Sequence, residues 1–158
     1  MSMIRKSIVA ASAVAVLGST VVVATAPSAS ATNRVNRCGA SYHFKKSWPL
    51  KSTGQVDPYG KKVGYIDVYW SPSSGKNCAI ARPKNGVFRP TDVMVRIQRS
   101  GTGRWDQDGY RPSQHHKKFA GPVYAKARGK CVDIEGGFSY MYGGADGAYG
   151  LYERKHCS

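Results

Sequence analysis

Two carboxylates, Asp133 and Glu135, stand two residues apart on a predicted strand, so both should project to the same face. Glycosidases use a pair of carboxyl groups about 5–9 Å apart, one as acid and the other as base or nucleophile. Here the pair alternates with Val132 and Ile134, which should take the core side of the strand. We therefore expect both acids on the solvent side, facing lysine or arginine on a neighbouring strand. A hydrolase built on them is the less favoured interpretation.

His115 and His116 are adjacent and are followed by Lys117 and Lys118. Such a pair could bind a metal ion or exchange protons. Adjacent residues on a strand point to opposite faces, however, so the two rings would not converge on one ion. The sequence favours a solvated basic turn here.

Residues 106–109, Asp-Gln-Asp-Gly, imitate the start of a calcium loop. The twelfth position of that loop requires glutamate, and Lys117 stands there instead. A turn capped by the aspartate side chains is the better interpretation. The chain also lacks a Gly-x-Ser-x-Gly elbow and a glycine-rich loop that opens a helix. We expect neither an enzyme nor a cofactor.

Short alternating strands must position these side chains. The clearest alternation buries Val93, Val95 and Ile97, and no window has helical spacing with caps. Turn formers separate two predicted hairpins, one made by 63–70 and 77–82 and the other by 119–126 and 131–135, and a last strand covers 149–154. The expected fold is all-β, a small disulfide-stapled antiparallel sandwich or partly closed barrel.

Four cysteines, Cys38, Cys78, Cys131 and Cys157, are widely spaced, which disfavours a metal site built from close ligand pairs. An even number in an exported chain indicates disulfides, although four cysteines allow three connectivities. We favour the sequential pairing of the first with the second and the third with the fourth, because each bridge would then staple one local region of sheet.

The first 31 residues have the order of a secretory signal peptide. Arg5 and Lys6 precede an apolar run, and Ala29-Ser30-Ala31 forms a small-x-small cleavage site. A retained membrane anchor is the alternative, since the apolar run approaches spanning length. We expect cleavage after Ala31, leaving one mature β domain over 32–158 with a flexible arm at 32–37 and no transmembrane anchor.

Loss of the predicted leader leaves a strongly basic mature chain with a higher net positive charge per residue. The mature chain keeps 22 of the 24 basic residues and all nine acids, a formal charge of +13. Such a field attracts anionic polymers and surfaces, although it could also serve only solubility. Eight residues are candidate polyanion ligands: Lys45, Lys46, Lys61, Lys62, Arg96, Arg99, Lys117 and Lys118.

Two groups of short segments in the mature chain carry a family resemblance. They are Phe119–Tyr124 with Gly129–Val132 and the terminal His156-Cys157, and Cys38-Gly39 with Tyr42 and Ser74–Cys78. The chain resembles the spore-associated protein A type of secreted protein from filamentous actinobacteria. The resemblance implies export, an extracellular or spore-surface location and four cysteines, and it brings no active-site residues.

The sequence thus predicts a secreted, non-enzymatic, basic protein of the cell or spore surface. Its expected partners are anionic wall or spore-coat polymers or an extracellular protein, with no specific nucleic acid and no metal. Exposed tyrosine and tryptophan would add contacts to sugar or protein. One alternative is a secreted inhibitor or antimicrobial effector that uses a loop such as 83–90 or 101–112. The other is a small hydrolase that uses Asp133 and Glu135 or a histidine.

Overall fold

The structure is a computed structural model that describes residues 34, 36–54, 56–87, 90–111, 113–140 and 146–157. The predicted leader, residues 1–31, lies outside the described residues. Of the predicted arm 32–37, three residues are described and contact the rest of the chain. The Arg34 guanidinium lies 3.4 Å from the centre of the Phe44 ring, and that of Arg37 lies 4.0 Å from the centre of the Phe119 ring. The Asn36 side chain donates to two backbone carbonyls.

Every regular element of the described chain is a strand, which confirms the all-β prediction. The eight strands are β1 (His43–Ser52), β2 (Lys62–Ser71), β3 (Lys76–Pro83), β4 (Thr91–Arg99), β5 (Asp106–Asp108), β6 (Ala120–Lys126), β7 (Val132–Ser139) and β8 (Gly147–Lys155). The described residues contain no helix that could cross a membrane.

The strands form one antiparallel sheet in the order β5-β4-β7-β8-β1-β2-β3-β6, which curls into a nearly closed barrel. The first predicted hairpin is confirmed, since β2 and β3 pair continuously from Gly64 opposite Pro83 to Ser71 opposite Lys76. The second is wrong, because β6 pairs with β3 whereas β7 lies between β4 and β8. Alternation identifies which side chains face the core, but it does not identify the strand that supplies the hydrogen bonds.

The barrel interior is filled by branched aliphatic side chains from most strands. The predicted inward face of β4 is confirmed, because Val93, Val95 and Ile97 are fully buried. They pack with the other large buried side chains of the core: Leu50, Val63, Ile66, Val68, Val123, Val132, Ile134 and Phe138. This continuous apolar interior supplies the main driving force for folding.

The two edge strands of the sheet, β5 and β6, meet at a seam that side chains close. Asp106 Oδ2 accepts the Tyr124 N–H at 2.7 Å, and Asp108 Oδ2 accepts the Gly121 N–H at 2.7 Å. The predicted Asx-capped turn is therefore wrong in its element, since 106–108 is a short strand that pairs with β4. Its carboxylates occupy the position that backbone carbonyls hold in an ordinary ladder, so the barrel closes without a long unpaired edge.

The barrel has two ends that differ in construction. At one end β2, β4, β6 and β8 finish and β1, β3 and β7 begin. Cys38–Cys78 and Cys131–Cys157 both lie there, with sequence separations of 40 and 26 residues. We call it the disulfide end, and the other the opposite end. The pairing is the sequential one that the sequence predicts, and the described residues contain no free cysteine.

Candidate functional site

Asp133 and Glu135 share the outer face of β7, but they are not solvent-exposed as predicted, since only 7% and 6% of their surfaces remain accessible. The expectation fails because residues that follow β4 cover this face of the sheet. The Arg96 guanidinium, which donates to Glu135 at 2.5 Å, lies 4.5 Å from the centre of the Trp105 ring. Tyr110 Oη also donates to Glu135, at 3.0 Å. An arginine on the neighbouring strand was the expected partner of this acid.

Asp133 is surrounded by neutral donors rather than by a cation. It accepts Ser100 Oγ at 2.6 Å, Gln98 Nε2 at 2.9 Å and the Arg154 backbone N–H at 2.8 Å. Burial opposes ionisation, but the hydrogen bonds from Arg154, Ser100 and Gln98 outweigh it and hold the pKa of Asp133 below its usual range. The carboxylate therefore stays ionised at neutral pH and joins three segments of the chain.

Tyr110 completes the cluster around Glu135. Burial, followed by the negative charge of Glu135, raises the pKa of Tyr110 well above its usual value. Its hydroxyl thus stays protonated and donates a hydrogen bond to the Glu135 carboxylate at 3.0 Å. Each carboxylate of the predicted catalytic pair is bound to protein donors, an arrangement that favours a structural role for both.

The adjacent histidines lie on the irregular, largely exposed segment between β5 and β6, in line with the solvated basic turn that the sequence predicts, but each ring contacts an acid. His115 Nδ1 lies 2.6 Å from Asp92 Oδ1, and His116 Nε2 lies 2.9 Å from the seam residue Asp108. The two rings thus engage different acids, as expected for neighbours that point apart. Among the described residues, no group of three or more His, Cys, Asp or Glu side chains is arranged to hold a metal ion.

The eight candidate polyanion ligands do not form one patch. Lys45, Lys46 and Arg99 lie toward the disulfide end, and Arg96 lies in mid-strand, paired with Glu135. The remaining four belong to the opposite end: Lys61, Lys62, Lys117 and Lys118. Lys61 is also bound to Asp57 at 2.5 Å.

A shallow groove of about 850 Å³ opens at the disulfide end between the end of β4, the turn before β7 and the end of β8. Three cations line it, Arg99, Lys130 and Arg154. Asp133 and Glu153 also line it, and the Asp133 carboxylate is held by the three donors described above. We call this the first groove.

A second groove of about 460 Å³ adjoins the first, and Arg99 and Thr102 line both. It adds two cations, Arg104 and Lys126, together with the Trp105 ring. Thr102 Oγ1 donates to the Arg99 carbonyl at 2.7 Å, which fixes the turn between the two grooves. The two grooves are therefore neighbours, and Arg99 lies at their common border.

The wall of the first groove contains a β-bulge. Ile134 pairs with Tyr152 and Val132 with Lys155, so two residues of β8, Glu153 and Arg154, lie opposite the single residue Asp133. Arg154 has a φ of +49°, a left-handed conformation uncommon for a residue other than glycine. The hydrogen bond from its N–H to Asp133 holds this conformation in place. Bulges often re-aim side chains next to functional sites.

The two grooves carry five cations: Arg99, Arg104, Lys126, Lys130 and Arg154. All five are exposed, and within the described chain none of them forms an ion pair. Only Arg99 was among the candidates from the sequence. The signal that could have found the others is the basic run 126–130 immediately before Cys131, and Arg154 shortly before Cys157.

Comparisons with known proteins give one informative relative. Spore-associated protein A of Streptomyces coelicolor is 35% identical over 101 residues, which is 63% of this chain and 54% of the relative. The chain resembles spore-associated protein A. The match spans about half the length of that relative, whose name refers to spores and not to a reaction. No protein-family model matches the chain, and no solved structure matches it.

Proposed function

We propose that this protein is a secreted, non-enzymatic protein that attaches to the outer surface of a cell or spore through exposed positive charge. The observation that carries the proposal is the group of five exposed cations in the two grooves that form no ion pair within the described chain. The resemblance to spore-associated protein A supports a spore-related location. The leader in the sequence supports export.

The distribution of charge favours attachment through the disulfide end. Among the described residues of 43–157, nine exposed basic side chains lie there, with the three acids Asp106, Asp133 and Glu153: Lys45, Lys46, Lys76, Arg99, Arg104, Lys126, Arg128, Lys130 and Arg154. Over the same described residues the opposite end has seven, with the four acids Asp57, Asp92, Asp108 and Asp146: Lys51, Lys61, Lys62, Lys84, Arg111, Lys117 and Lys118. An excess of one sign over a concave surface concentrates the field there and attracts anionic partners.

The non-enzymatic part of the proposal rests on how the acids are used. Asp133 and Glu135, the pair that could have served hydrolysis, accept hydrogen bonds from buried or half-buried protein donors. Asp133 has a lowered pKa and so cannot act as a proton donor near neutral pH.

Elution by salt tests this function. The native protein should bind whole spores or purified walls at low ionic strength. It should elute by about 0.5 M salt, where the screening length is only a few ångströms. Retention that is equal at low and high salt would show that attachment does not depend on charge, and absence of binding at low salt would contradict the proposal altogether.

A further inference from the structure

The grooves at the disulfide end combine concavity, uncommitted charge and a strained backbone position. We propose that they bind the phosphodiester backbone of a polyol-phosphate wall polymer, with Arg99 contacting phosphate at the junction of the two grooves. This inference rests on the proposed surface attachment and assigns it a ligand class and a site.

The cations of the grooves are mostly of the type that binds phosphate by paired hydrogen bonds. Three of the five lining cations are arginines, namely Arg99, Arg104 and Arg154. A guanidinium presents a planar fork of N–H donors that can bond two oxygens of one phosphate. Lys130 and Lys126 add point charges in the first and second groove, respectively. A polymer with repeated single charges can engage such a row along its length, whereas one free anion would use only part of it.

Hydrogen bonds to Asp133 pre-organise the walls of the first groove. Asp133 fixes the bulge through the Arg154 N–H and fixes the facing wall through Ser100. Two acids near the cations are satisfied internally, because Asp133 has three donors and Asp106 accepts the Tyr124 N–H at 2.7 Å. Neither needs a lysine or arginine of the groove to neutralise it. Glu153 is the third acid of the grooves, and it forms no ion pair with their lysines and arginines within the described chain. The five cations thus outnumber the three carboxylates, and the grooves keep an excess of positive charge for an external anion.

The aromatic residues of the grooves favour a wall polymer over a nucleic acid. Single strands are held by charge together with a series of aromatic rings on which successive bases stack. Trp105 and Tyr124 are the aromatic residues that line the grooves, and both are engaged. The Arg96 guanidinium lies over the Trp105 ring, and the Tyr124 ring packs against Tyr42 with 5.6 Å between centres. The site thus offers hydrogen-bond donors for phosphate but no series of free aromatic rings on which bases could stack, which suits a polyol backbone.

The test measures binding of the full mature chain to poly(glycerol phosphate) of defined length by calorimetry, between 50 and 200 mM salt. The first-groove variant combines Arg99→Gln, Lys130→Gln and Arg154→Gln. Its affinity should fall about tenfold, the sum of three modest exposed contacts. The slope of log K against log salt should become shallower by about 2, given roughly 0.7 per phosphate contact on a single strand.

The matched control combines Lys62→Gln, Lys117→Gln and Lys118→Gln, three exposed lysines of the opposite end. It removes the same net charge and should change affinity less than twofold. Equal losses in the two variants would overturn the groove while leaving charge-dependent attachment intact. Failure of the unchanged protein to bind the polymer while it still binds walls would overturn the ligand class.

Two further arms keep the result decisive. If the first-groove variant has a lowered thermal midpoint, the second-groove variant, Arg104→Gln with Lys126→Gln, replaces it and should also weaken binding severalfold. An oligothymidylate and poly-glutamate of equal charge serve as competitors. Tighter binding of either through the same residues would overturn the assignment to a polyol phosphate.

Discussion

Two replacements of Asp133 test how the wall of the first groove is held. Asp133→Ala removes the acceptor of three hydrogen bonds in a site that is 7% exposed, and it strands the Arg154 N–H inside the bulge. A buried donor without a partner costs about 1–3 kcal/mol, and hydrogen bonds to a charged group contribute about 1.5–3 kcal/mol. Because the Ser100 hydroxyl can rotate toward water, we expect a total loss of about 3–4 kcal/mol in the free energy of unfolding.

Asp133→Asn should cost much less, about 1–2 kcal/mol, since it removes the charge and keeps the shape. The reason lies in Gln98, whose Oε1 is buried without a hydrogen-bond partner. Rotation of the Gln98 amide would present Oε1 to the new side-chain N–H₂, while the asparagine Oδ1 still accepts the Arg154 N–H. The matched pair therefore separates the value of the charge from the value of filling the site.

The contribution of the Asp133 charge to stability should depend on pH in a definite direction. The native pKa of Asp133 lies below its unfolded value of about 3.9, so its contribution is present above that pH and is lost as pH falls through the native pKa. The stability difference between the native protein and Asp133→Asn should therefore be constant from pH 7 to 5 and shrink below pH 4. Other acids with lowered pKa values occur in both proteins and cancel.

Urea unfolding followed by tryptophan fluorescence, at pH 7 and in steps down to pH 3, measures both quantities. Equal losses for the two variants would refute the reasoning, because shape and charge would then have no separable roles. A difference between native and Asp133→Asn that persists unchanged at pH 3 would refute the assignment of the lowered pKa to the folded state.

Two other replacements test the closure of the barrel. Asp108→Ala leaves a β6 N–H without its acceptor at the seam and should lower the free energy of unfolding by about 2 kcal/mol in urea; a loss below about 0.5 kcal/mol would show that water replaces the carboxylate. Cys131→Ser with Cys157→Ser opens a loop closed across 26 residues and should cost about 3.5 kcal/mol on the chain-entropy estimate. Reduction of the native protein should reproduce most of that second loss, and a reduced protein as stable as the oxidised one would contradict it.

Local pattern in the sequence predicts the fold class and much of the core. The alternation in β4 identifies Val93, Val95 and Ile97 as core, and the hairpin of β2 and β3 follows from a dense turn signal. Pairing between distant strands is not encoded locally, so β6 was assigned to the wrong neighbour. The burial of Asp133 and Glu135 was missed for a related reason, since the covering residues lie more than twenty positions earlier in the chain.

The candidate site illustrates the same limit. Arg99, Lys126, Lys130 and Arg154 are spread over more than fifty residues, and only the order of the strands brings them to two neighbouring grooves. The sequence alone does not show whether a given lysine or arginine forms an ion pair with a carboxylate in the folded protein. Arg96 and Arg99 are both candidates from the sequence, yet the first is bound to Glu135 whereas the second lines both grooves.

The use of the acids explains how this excess of charge arises. Eight of the nine acidic side chains accept a hydrogen bond within the described chain, Glu153 being the exception. Asp106, Asp108 and Asp133 bind backbone N–H groups that the sheet leaves unpaired at its seam and bulge. An acid committed to the backbone cannot move to screen a neighbouring lysine or arginine. The carboxylates that close the barrel thus form no ion pair with its exposed lysines and arginines within the described chain, and acidification should weaken the fold before it weakens the positive surface.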